Sequence, residues 1–98
     1  VSALQFERAL ARSAARAGAA LAIASHRATA WHSATFSGDR HELTLHATPG
    51  AALDAWSDAL PALDLGLPGH LLADLRITAR ERHGDRTTLH IEGLTVAC

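Results

Sequence analysis

From Leu4 to Ala17 and on to Leu21, the apolar residues Phe6, Leu10, Ala14, Ala17 and Leu21 recur at helical spacing. Glu7, Arg8, Arg12 and Arg16 fall on the other side, so the segment is predicted to be an amphipathic helix with one face in a core. Gly18 stands where a left-handed C-terminal cap belongs, and Leu21 and Ile23 then alternate with small residues, which predicts a strand from about Ala20. No strong capping box is legible ahead of Phe6, so the helix is expected to continue backwards past Val1, which is read as a cut.

Thr29 to Phe36 place Thr, Trp and Phe in a strand-like setting. Ser37-Gly38-Asp39 reads as a turn before the alternation of Leu43, Leu45 and Ala47, giving a hairpin. Thr48 is expected to cap a second helix with Pro49 at its first position, Leu53, Trp56, Leu60 and Leu63 forming its buried stripe. Pro61 should end or kink that helix, and Asp64 to Gly69 read as a loop. Leu75, Ile77 and Ala79 alternate with Asp74, Arg76, Thr78 and Arg80, and His83-Gly84-Asp85 turns the chain into Leu89 and Ile91. Leu94 and Val96 run in the opposite phase, as a bulge at Gly93 would produce.

The order is helix, hairpin, helix, hairpin, with a small echo between Gly38-Asp39-Arg40 and Gly84-Asp85-Arg86. Two such units pack most simply as an α+β domain: a four-stranded antiparallel sheet, strand order third, fourth, second, first, with both helices on one face. That is a ferredoxin-like two-layer sandwich in circularly permuted form (αββαββ). Its predicted core is Leu10, Leu21, Ile23, Leu43, Leu45, Leu53, Trp56, Leu60, Leu75, Ile77, Leu89 and Ile91.

Composition narrows the function. The 98 residues suit a single domain, residues 1–98, and a formal charge of −1 gives no general attraction to nucleic acid. All nine basic residues are Arg, and Ala and Leu exceed a third of the chain, as in a GC-rich genome. There is no Met, so a longer or processed chain is expected upstream; no stretch is long and apolar enough to span a membrane. Cys98 is the single cysteine, which excludes an intrachain disulfide.

Seven histidines invite a metal-site reading. His41-Glu42 and His46 superficially match a zincin, but the spacing of five puts the two imidazoles on opposite faces of a strand, and both are expected to be solvated. Glu42, Thr44 and His46 on the second strand and Thr88, His90 and Glu92 on the fourth should share the open face, a polar surface rather than a metal centre. The serines lie in no nucleophile elbow and Cys98 has no placed base, so no catalytic, cofactor or metal residue is assigned. Trp56 completes a core stripe, whereas Trp31 lies outside any stripe and is a candidate interface anchor.

The helix ending in Ala17-Gly18, the strand at Leu21, and Leu43-Thr44-Leu45-His46-Ala47 leading into Leu53-Asp54-Ala55-Trp56 and Leu60 resemble the periplasmic domain of type II secretion system protein M. The resemblance runs from about Ala9 to Val96 and rests on core positions; protein L of the same machine and the equivalent pilus-assembly platform proteins share the pattern. It implies an inner-membrane anchor and helical stalk upstream, location on the periplasmic face of the bacterial inner membrane, and a non-enzymatic scaffold that homodimerises and docks a platform subunit such as protein L. The long irregular interval from Ser25 to Ser37 departs from that family's minimal hairpin. Arg27 is the only charge between Leu21 and Phe36, so Leu21, Ile23, Trp31 and Phe36 are the candidate interface residues. The alternative function is a small-ligand-binding regulatory module of the same shape.

Overall fold

The computed structural model describes residues 2–98, and Val1, read above as a cut, lies outside the described residues. Helix α1 (Ala3–Arg16) has a definite start. The Ser2 hydroxyl accepts the Gln5 backbone N–H at 3.1 Å, and the Gln5 side chain accepts the Ser2 N–H at 3.1 Å. This is a reciprocal capping box with Gln in the third position, and it corrects the expectation of a helix without an N-terminal stop. The chain continues through β1 (Leu21–His32), β2 (Ser37–Ala47), α2 (Ala51–Ala59), a 3-10 turn at Leu60–Ala62 containing Pro61, β3 (His70–His83) and β4 (Arg86–Ala97).

The four strands form one antiparallel sheet in the order β1-β2-β4-β3, the order derived from the pattern. Three local expectations are corrected. The first hairpin turns at residues 33–36, not at Ser37-Gly38-Asp39. There the Ser33 N–H donates to the Phe36 carbonyl at 2.8 Å and the Ser33 hydroxyl accepts the Phe36 N–H at 3.0 Å. A serine-closed turn needs no glycine, so Gly38 lies inside β2 and most of the interval from Ser25 to Ser37 is regular strand. Helix α2 is capped by Gly50 with no side-chain bond, and Thr48 and Pro49 precede it. Gly93 pairs in unbroken register with His41; the extra residues are Ala24 in β1 and Ala73 and Thr78 in β3. The second hairpin turns where predicted, with Gly84 at φ +63 in its first loop position.

Both helices cover one face of the sheet. Leu10, Leu43, Leu45, Leu53, Trp56, Leu60, Leu75, Leu89 and Ile91 are buried there as predicted, joined by Phe6, Leu65 and Leu67. Leu21, Ile23 and Ile77 are only half-buried, because they sit on the two edge strands where the helices cover the sheet incompletely. The Trp56 indole N–H donates to the Ser13 hydroxyl at 3.0 Å, and that hydroxyl donates to the Leu10 carbonyl at 2.7 Å, joining α2 to α1. The bulge at Thr78 turns Arg80 toward the helices, where its guanidinium meets Ser57 and lies 3.5 Å from the Asp54 carboxylate.

Candidate functional site

An extra residue in one strand reverses which face its later side chains take. Before Ala24, Leu21 and Ile23 lie opposite Ala47 and Leu45 and face the helices; after it, His26 and Ala28 lie opposite Leu43 and His41 and do the same. Without the bulge His26 would point to the open face. Instead its side chain is only 4% exposed, with Nδ1 2.9 Å from Glu7 Oε2 and Nε2 2.9 Å from His41 Nδ1. His41 Nε2 in turn lies 3.1 Å from the Thr95 hydroxyl, which donates to the Asp39 carbonyl at 3.3 Å. A single line of hydrogen bonds thus runs from α1 through β1 and β2 to β4.

His41 is fully buried, which corrects the expectation that it is solvated. The Phe6 ring lies parallel to the His41 imidazole, with centroids 4.1 Å apart and planes within 2°. Gly93 makes room for this stack: a Cβ there would lie 2.9 Å from the Phe6 ring. Burial, followed by the facing His26, pushes the His41 pKa down from 6.5 to about 4, against a smaller upward pull from Asp39. His41 is therefore neutral near pH 7. The sequence signal for this site was weak, since His26 alternates inward only after a bulge that no turn residue marks.

The open face is arranged in cross-strand rows. Trp31, Gly38, Val96 and Leu71 form one row, and Arg27, Glu42, Glu92 and Arg76 another. Glu92 accepts from Arg40 at 3.0 Å and from Arg76 at 3.3 Å. The predicted polar cluster is present: Thr44 pairs with His90 at 3.3 Å and His46 with Thr88 at 3.1 Å. His90 Nε2 also lies 3.0 Å from Glu81, whose carboxyl is held below its usual range by the hydrogen bonds of His90 and His83. His41 and His46 lie on opposite faces, as their spacing required. Among the described residues no group of three or more His, Cys, Asp or Glu is placed to hold a metal ion.

The four candidate interface residues are not brought together on one surface. Leu21 and Ile23 face the helices, Trp31 lies over Gly38 on the open face, and Phe36 projects from the turn at 57% exposure. What they share is the β1 side of the molecule, where β1 is a sheet edge. The buried indole N–H of Trp31 has no hydrogen-bond partner.

These features define a two-layer α+β domain with an uncovered sheet face that is polar apart from the row of Trp31, Val96 and Leu71, one lightly charged sheet edge and a polar line through its core. No protein-family model, curated protein or solved structure matches the chain. Among the described residues no helix is long and apolar enough to cross a membrane.

Proposed function

We propose that this domain is a non-enzymatic scaffold of a type II secretion or related pilus assembly platform, a circularly permuted ferredoxin-like sandwich that homodimerises and docks a partner subunit such as protein L at the periplasmic face of the inner membrane. The observation that carries the reading is the contrast between the two sheet edges. Both edge strands are bulged, but β3 also carries Asp74, Arg76, Arg80, Glu81 and Arg82, charges that discourage pairing with another chain. β1 spans 12 residues with Arg27 as its one Asp, Glu, Lys or Arg, and its outer backbone groups are available to a further strand.

Sedimentation over a concentration series tests this reading with the wild type, Thr29→Lys, and Trp31→Ala combined with Phe36→Ala. Thr29 and Arg27 share the open face, so Thr29→Lys puts two like charges at the middle of β1 and should weaken a wild-type dimer that pairs through this edge. A wild type that stays monomeric up to about millimolar concentration, the effective concentration a short tether supplies, refutes homodimerisation. Binding to the periplasmic domain of a protein L, measured by calorimetry, tests the docking half.

The regulatory-module reading is favoured by a different feature, a concavity of about 510 Å³ on the open face lined by Ser25, Arg27, Glu42, Thr44, His90 and Glu92. Cavities of this size suit small ligands. A small polar ligand that raises the melting temperature of the wild type but not of Arg27→Ala would favour that reading over the scaffold.

A further inference from the structure

We propose that the buried line Glu7–His26–His41–Thr95 is a one-proton switch, in which uptake or release of a single proton at the Glu7–His26 end reverses every hydrogen-bond direction back to the Asp39 carbonyl. The directions follow from the closed end. A carbonyl only accepts, so the Thr95 hydroxyl donates to Asp39 and must accept from His41 Nε2–H. Neutral His41 then has a lone pair on Nδ1, and His26 must donate Nε2–H to it. Between His26 Nδ1 and Glu7 Oε2, 2.9 Å apart, one proton remains to be shared, and the Glu7–His26 pair is neutral as a whole.

Removing that proton to solvent through Glu7, which is 26% exposed, leaves a state that only the opposite directions satisfy. The Glu7 carboxylate needs Nδ1–H from His26, so His26 Nε2 accepts from His41 Nδ1–H, and His41 Nε2 accepts from the Thr95 hydroxyl. The hydroxyl has one hydrogen and gives up Asp39. A second proton on His41 is refused, because it would set two N–H groups against each other at the 2.9 Å separation of His26 and His41. Among the described residues, the titratable groups facing the line are Glu7 from α1, Asp39 from β2 and His70 from β3; β4 presents the Thr95 hydroxyl and Arg27 of β1 points to the other face.

Long-range proton–nitrogen NMR on 15N-histidine protein reads the tautomers directly over about pH 5 to 8, the span in which imidazoles change charge. His41 is expected to change from Nδ1–H to Nε2–H on acidification while remaining neutral. A His41 that keeps one tautomer throughout, or that becomes an imidazolium in the same step, overturns the proposal. Thr95→Val removes two hydrogen bonds from the protonated state and one from the deprotonated state. It should therefore move the switch to about five- to tenfold higher proton concentration, and Thr95→Ser should restore it. A purely structural Thr95 would alter stability and leave the switch point where it was, which would also overturn the proposal. If Thr95→Val does not fold, Glu7→Gln at the part-exposed end serves the same purpose: losing the carboxylate should move the switch to lower pH, and an unmoved switch refutes the relay.

Discussion

The Phe6 ring rests on the His41 imidazole at 4.1 Å, and it does so because position 93, directly across the strand pair from His41, has no side chain. Helix α1 thereby reaches the backbone of β4 and covers the His41 end of the polar line.

Gly93→Ala should consequently destabilise the protein by about 1–3 kcal/mol, the usual cost of overpacking a filled core. The new Cβ would lie 2.9 Å from the Phe6 ring. Combining it with Phe6→Leu should recover part of the loss in a urea-denaturation cycle. Strict additivity of the two changes would show that Phe6 does not sense position 93.

Acid should weaken the fold through His41. In the unfolded chain the imidazole takes up a proton as the pH falls through 6.5, whereas in the folded chain it resists until about 4. The folded state thus binds fewer protons in that window. The contribution is complete above pH 6.5 and is lost toward pH 4, about 3 kcal/mol at 1.36 kcal/mol per pH unit. Comparing unfolding free energies at several pH values for wild type and His41→Gln checks this: the variant should show the shallower slope, and equal slopes would assign the acid sensitivity elsewhere.

Ser13→Ala should cost about 1–3 kcal/mol, because it leaves the buried Trp56 indole N–H without its acceptor. Trp56→Phe in the same background should cost less than it does alone on the wild-type background. A double-mutant cycle with no coupling energy would mean that the 3.0 Å contact does not join the helices in solution.

Chelators should leave the melting temperature unchanged. His90 has Thr44 at one ring nitrogen and Glu81 at the other, and His46 has Thr88 at Nδ1, so an ion would have to displace existing bonds. A zinc-dependent rise that disappears in His46→Ala, His90→Ala would promote the open face to a metal site.

The alternations of Leu43, Leu45 and Leu89, Ile91, and the helical stripe of Leu53, Trp56 and Leu60, were enough to give the element order, the strand order and most of the core. Periodicity records directly which side of an element meets other apolar groups. Leu94 and Val96 show the limit of that signal. Their change of phase looked like a bulge, yet the strand is in register and the phase changes because Gly93 and Thr95 turn inward while Leu94 and Val96 lie on the open face.

Tertiary structure alone decided that His26 and His41 are buried partners. The extra residue Ala24 sets the phase of β1, the missing side chain at Gly93 admits Phe6, and Glu7 arrives from a separate helix. Each is a fact about what lies across from a residue, and a linear pattern carries only what lies beside it. The sequence by itself determined the two layers and the polar open face, because hydrophobic burial is periodic along one chain. The hydrogen-bonded line through the core depends on register and on space between elements, which exist only once the sheet and helices have packed.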